Sequence, residues 1–230
     1  MSRELDIPDS RLDTDGGRAL AVAVAALASV LPKVGGVVSA VASGYMVGRK
    51  LGRVAETVDF LRNELGELRA DIDETYVGSE DFEELLEEAL LKAARERSES
   101  KRRAYARILA RDLQNPLAQP YDAKLRILVK LEPLQEGHLR ILAEIAQAAP
   151  EKDPKDGGEG DATARLAASL GESEESVARL LEDLRQEGLV EPEGLWGGGL
   201  VPKNVLTDLG RRIVSYLAPA PLGETRPSDG

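Results

Sequence analysis

Apolar positions crowd the N-terminal third of the chain and then fall into strict register. Residues 18–48 are almost wholly apolar, built mainly of Ala, Val and Gly, with no charge between Lys33 and Arg49. Pro32 divides the run, because an interior proline removes a backbone donor and clashes one turn back. Two short helices are therefore predicted. Gly36, Ala40, Gly44, Gly48 and Gly52 recur every four residues. On a helix they line one shallow groove that a second backbone can approach closely, as in small-xxx-small packing. Glycine costs a helix about 1 kcal/mol relative to alanine, so glycines on one face imply compensation by close packing.

The stripe runs, with no evident breaker, into a heptad. Val47, Leu51, Val54, Val58, Leu61, Leu65, Leu68 and Ile72 alternate spacings of four and three. That is the seam of a coiled coil. With Leu51, Val58, Leu65 and Ile72 at position a, Val54, Leu61 and Leu68 fall at d. Branched residues at a with leucine at d favour a parallel pair. Glu64 at g and Arg69 at the following e suit such a pair between two copies. Self-association through the stripe and the heptad is the expectation; an antiparallel helix packed within one subunit uses the same seam.

Gly78 and Ser79 interrupt the pattern, and Ser79 is a predicted N-cap. One long helix is expected from Phe82 to Leu113. It is acidic first and basic later, an order that complements the helix dipole, with Glu88–Lys92 and Glu99–Arg103 as i,i+4 pairs. Lys101, Arg102 and Arg103 read as a solvated face, because acids interleave with bases. Asn115, Pro116 and Pro120 form a loop, and residues 121–131 resume as a helix. Beyond Pro133 come a helix over 134–148, a polar Gly-rich loop over 150–161 and a short helix over 162–170 closed by Gly171. A third helix follows, capped by Ser173, with Val177, Leu180, Leu181 and Leu184 inward, and ended by Gly188. Leu189-Val190 opens a hairpin that turns through Gly194 and Gly197–Gly199 and returns at Leu200-Val201. Residues 206–217 close the region as a helix.

Composition narrows the function. The net charge is −11 over 230 residues and aromatics are 3%, which favours helix over sheet. Residues 1–135 hold 20 basic and 23 acidic groups, whereas 136–217 hold 9 and 16, so the acidic surplus lies in the last third. There is no cysteine and one histidine, His138. Disulfides, thiolate metal sites, cysteine nucleophiles and paired-histidine metal sites are thereby excluded. Glu83, Glu84, Glu87 and Glu88 read as a solvated face, since ferritin-like sites need a Glu-x-x-His partner. No phosphate-binding glycine motif precedes a helix. No catalytic residue, cofactor or metal is predicted. The polar N-terminus lacks the basic region and short apolar core of a signal peptide, so a cytoplasmic location is expected.

The helix–helix–helix–hairpin–helix order of the last third resembles the winged-helix domains of MarR-type regulators. The resemblance rests on Ser176-Val177, Leu184 to Gly188-Leu189-Val190, and Leu206-Thr207-Asp208-Leu209-Gly210. It implies a third helix that enters the major groove, with Glu174, Glu175, Ser176 and Arg179 as contact residues, and a wing near Trp196 to Lys203. Two carboxylates at the entering end oppose a phosphate-lined groove, which turns the expectation toward a protein partner. The middle of the chain resembles abortive-infection alpha-type bacterial helical proteins through Lys101-Arg102-Arg103-Ala104-Tyr105-Ala106-Arg107-Ile108-Leu109-Ala110, Leu131-Glu132-Pro133-Leu134 and Ile141-Leu142. That resemblance implies a role in phage defence.

The sequence thus predicts a mainly α protein. Its parts are an arm (1–17), N-terminal apolar helices with a heptad helix (18–78), a central helical domain (79–133), a C-terminal winged helix with a small β-hairpin (134–217) and a tail (218–230). The leading expectation is a non-enzymatic, homo-oligomeric regulatory or adaptor protein. A DNA-binding regulator is the second reading. The third is a membrane-active effector that contacts a bilayer through 18–48, although each half of that run is shorter than the roughly 20 residues that span one.

Overall fold

A computed structural model of the chain describes residues 15–28, 31, 34–45, 48–68, 72, 74–147, 162–191 and 205–217. The described residues are mainly helical, and they divide into two units, Met1–Val129 and Lys130–Gly230. The first contains α1 (Asp15–Ala28), α2 (Gly35–Tyr45), α3 (Arg49–Leu68), the single turn α4 (Glu74–Val77), α5 (Glu80–Arg95) and α6 (Glu99–Gln114). α7 (Tyr121–Leu131) carries the chain to the boundary.

α3 is the hub of the first unit, packing on α1, α5 and α6. Its heptad residues Leu51, Val54, Val58, Leu61 and Leu65 are buried there, together with Leu20, Val24 and Leu27 of α1, Phe82, Leu85, Leu86 and Leu90 of α5, and Tyr105, Leu109 and Leu113 of α6. The expected segments 18–78 and 79–133 thus share one core. Fully burying side chains of this size contributes about 1.5–3 kcal/mol each.

The long helix expected over 82–113 is two helices, broken at Glu96–Ser98. The last carbonyls of a helix need outside donors, and two arginines supply them. Arg53 donates to the Ala94 and Arg95 carbonyls (both 3.2 Å), and Arg102 to those of Glu96 (3.2 Å) and Arg97 (2.8 Å). Ser98 then caps α6, while its own N–H donates to Glu96 Oε1 at 2.8 Å and Lys101 pairs with the same carboxylate. Burial alone would raise the Glu96 carboxyl, but the bonds from Lys101 and Ser98 outweigh it and hold it below its ordinary value.

Lys101 and Arg102 are therefore not a solvated face: both are buried. Arg102 pairs with Glu56 at 2.7 Å and Arg107 with Glu64 at 2.6 Å, while Arg103 lies 4.7 Å from the centre of the Phe60 ring. Residue numbers rise together along both helices, so α3 and α6 run parallel. The heptad implies a parallel partner in a second copy or an antiparallel one in the same subunit; here α6 is parallel yet belongs to the same chain, and α1 and α5 share the seam.

The second unit contains α8 (Glu136–Gln147), α9 (Ala162–Leu170), α10 (Glu174–Gln186) and α11 (Asp208–Leu217), with α8 packed against the other three. Gly171 (φ +67°) and Gly188 (φ +71°) end α9 and α10 in the left-handed conformation that glycine adopts without strain. After α10 the chain forms an antiparallel bridge, Val190 to Leu206, flanked by Glu191 N–H to the Val205 carbonyl (2.7 Å) and Thr207 N–H to the Leu189 carbonyl (3.1 Å). Among the described residues this bridge is the extent of β pairing; the expected hairpin turn lies outside them, and no strand is seen. Val177, Leu181, Leu184, Leu189, Val190, Leu206 and Ile213 close on Leu139, Ile141, Leu142 and Ile145 of α8.

Candidate functional site

The small-residue stripe does not form one face. Gly36 and Ala40 lie exposed on α2. Gly44 also falls in α2, whereas Gly48 precedes α3 with φ +56°, which breaks the helix that the spacing implied. Gly48 and Gly52 do support a close backbone approach, but to Gly16. A Cβ at Gly16 would stand 2.5 Å from the Gly48 carbonyl oxygen and 3.2 Å from the Gly52 nitrogen. Gly16, expected in a loose arm, is thus helical and packed on the same chain.

The heptad residues expected at an interface between copies are likewise enclosed. Leu51, Val54, Val58, Leu61 and Leu65 have no more than 4% of their surface exposed within one chain. Leu68 ends α3 and Ile72 lies beyond it, half-buried. Glu64, expected to reach a partner copy, is held by Arg107 of its own. Among the described residues expected at the interface, Gly36 and Ala40 are exposed and Gly48, Gly52 and Ile72 half-buried. Leu61→Ala is accordingly expected to lower stability by about 2–5 kcal/mol. The unfolding midpoints of both forms should not change with protein concentration, because subunit dissociation would make them do so. Thermal unfolding followed by circular dichroism over a concentration series checks this.

A buried polar cluster joins α4, α6 and α7. Lys124 Nζ donates to Asp112 Oδ1 (2.5 Å), the Pro116 carbonyl (2.7 Å) and Tyr76 Oη (3.1 Å), and Tyr76 donates to Asp112 Oδ2 (2.5 Å). Burial raises the Asp112 carboxyl, against the opposing pull of Lys124 and Tyr76. Burial and the Asp112 bond also raise the Tyr76 phenol. All three ammonium hydrogens have acceptors, so the cluster is a satisfied anchor for the 115–120 loop. No signal in the sequence pointed to it, since its members are 12 and 36 positions from Asp112.

The residues assigned to partner contact lie on α10. Its N-cap is Ser173, whose Oγ accepts the Ser176 N–H at 3.2 Å. Val177, Leu181 and Leu184 face the core, and Leu180 is half-buried. The opposite face presents Glu174, Glu175, Arg179, Glu182, Asp183, Arg185 and Gln186 to solvent, with Ser176 at its edge. Both arginines are engaged within the helix: Arg179 with Glu175 at 3.6 Å, and Arg185 with Glu182 through Nε at 2.6 Å. The bonds from Arg185 and Gln186 pull the Glu182 carboxyl down to about 2. The face is therefore a net acid, with the carboxylates of Glu174, Glu175, Glu182 and Asp183 against the two arginines. Trp196 and Lys203 lie outside the described residues.

No protein-family model matches the chain, and neither a curated protein nor a solved structure matches it significantly. Among the described residues, no cluster of His, Asp and Glu is arranged to hold a metal ion, and no helix is long and apolar enough to cross a membrane. The apolar run 18–48 turns Leu20, Ala23, Val24, Leu27, Leu31, Val34, Val38, Val41 and Ala42 into the protein.

Proposed function

We propose that this chain is a non-enzymatic regulatory or adaptor protein. Its first unit is a scaffold, and its second unit, a winged-helix-type module, engages a protein through the solvent face of α10. The observation that carries this reading is the acidic face with both arginines paired inside the helix. DNA affinity rests largely on cations that displace counterions from phosphates, and on this face of α10 four carboxylates outweigh two arginines. The three-helix order followed by the Val190–Leu206 bridge supports the winged-helix reading of the module. A partner that fits such a face presents Lys and Arg side chains around a small apolar centre.

The test compares the chain with Glu174→Lys/Glu175→Lys, two exposed positions whose change leaves the core intact. A random duplex library at about 50 mM salt, where phosphate contacts are strongest, is expected to show no retention by the unaltered chain. Retention that disappears toward about 200 mM salt would overturn the reading in favour of a DNA regulator. In affinity capture, a protein held by the unaltered chain and released by the charge-reversed one is the expected result.

A further inference from the structure

The single histidine of the chain occupies a joint between α8 and α10. His138 is 5% exposed and is the third residue of α8. Its Nδ1 accepts the Gln135 N–H at 2.9 Å. This is the capping-box arrangement, in which the third-position side chain reaches back to the N-cap N–H, with an imidazole in place of the usual Glu or Gln. With Nδ1 as acceptor, the neutral ring carries its proton on Nε2, which faces Asp183 Oδ2 of α10 at 3.4 Å. The same turn meets α10 at Gly137, where an added Cβ would lie 2.9 Å from Leu180 Cδ1. The cap therefore orders the turn on which α10 rests.

We propose that His138 is a proton-sensitive latch between the first turn of α8 and α10. A proton on Nδ1 turns the acceptor into a donor, so N–H would face N–H; the cap and the charged ring exclude each other. The cation would also stand at the positive end of the α8 dipole. Asp183 pulls the other way, but its side chain is 51% exposed and 3.4 Å distant, so solvent screens the attraction. The remaining charges on the packed elements are engaged elsewhere: Glu187 with Lys130 (2.8 Å), Arg140 with Glu172 (3.5 Å) and Arg211 with Asp208. Arg165 of α9, Arg212 of α11 and Glu136 beside the ring also have partners. Histidine is the side chain that changes charge between pH 5 and 8. Protonation of the ring exchanges the cap for the charge and loosens the contact with α10, whatever α10 binds.

Hydrogen–deuterium exchange on the full chain tests this at about pH 7.5 and about pH 5.5, after correction for the intrinsic pH dependence of exchange. The unaltered chain is expected to lose protection over 135–142 and 177–184 at the lower pH. His138→Gln keeps an acceptor at the capping position and takes up no proton in this range, so its protection should not change. Equal loss in both forms, or none in the unaltered chain, would overturn the latch. A second measurement needs no variant: with one histidine, the imidazole nitrogen spectrum belongs to His138 alone. A protonated Nε2 and bare Nδ1 are expected at the higher pH, and the opposite tautomer would sink the proposal.

Discussion

Arg107→Ala is expected to destabilise the first unit by about 3–5 kcal/mol, the range for removing one partner of a buried ion pair. Arg107 Nε donates to Glu64 Oε1 at 2.6 Å, and the two side chains are only 10% and 9% exposed. Truncating the arginine leaves the Glu64 carboxylate largely buried without the guanidinium that compensates its charge. Glu64→Leu should also destabilise the unit, since it removes the carboxylate that Arg107 Nε meets. The double change Glu64→Leu/Arg107→Met replaces both charges by apolar groups of similar reach and is expected to recover most of the loss. Urea unfolding of the four proteins gives the coupling directly. Additive losses would show that the pair contributes through packing alone. Strong recovery would show that each charge is costly chiefly when the other is removed.

That seam also shows where the sequence was legible and where it was not. The heptad from Leu51 to Leu65 announced a buried seam, with a parallel helix in a second copy or an antiparallel one in the same subunit to cover it; in the structure α1, α5 and the parallel α6 of the same chain cover it. Periodicity reports which face of a helix is buried, not which helix buries it, so α6 was invisible as the partner. Its own face is interrupted by Lys101, Arg102 and Arg107, which look solvated until their carboxylate partners on α3 and at Glu96 are placed beside them. Sequence separation hid those partners: Glu56 and Glu64 lie 46 and 43 positions away. The break at 96–98 carried a readable local signal in Ser98, a good N-cap residue followed by Glu99. The i,i+4 pairs on either side of it, Glu88–Lys92 and Glu99–Arg103, read as one continuous charged helix and masked that signal. In the second unit, local signals sufficed. Ser173, Gly171 and Gly188 act on their immediate neighbours, and they set the ends of α9 and α10 where the sequence placed them. The acidity of the α10 face was legible too. The pairing of both arginines within that face needed side-chain geometry.

Gly210→Ala is expected to destabilise the second unit, although alanine is the better helix former by about 1 kcal/mol. Gly210 is the third residue of α11, and a Cβ there would stand 2.1 Å from the Leu189 carbonyl oxygen and 3.1 Å from its carbon. Backbone cannot swing aside as a flexible side-chain end does. That carbonyl accepts the Thr207 N–H (3.1 Å) and the Thr207 hydroxyl (3.2 Å), and the same hydroxyl accepts the Gly210 N–H at 3.0 Å to cap α11. Relief of the clash must therefore move α11 away from the bridge or break the bonds that hold the bridge to it. Overpacking costs about 1–3 kcal/mol, and each lost hydrogen bond adds about 1 kcal/mol, so the sum exceeds the propensity gain. Gly36→Ala is the matched control: Gly36 is helical and exposed, with nothing within 4 Å of an added Cβ. It is expected to stabilise the first unit by up to about 1 kcal/mol. Denaturant unfolding of both variants, resolved by hydrogen exchange in each unit, checks the pair. If Gly36→Ala destabilised the chain while Gly210→Ala did not, close backbone approach would operate at the small-residue stripe on α2 and not at the foot of α11.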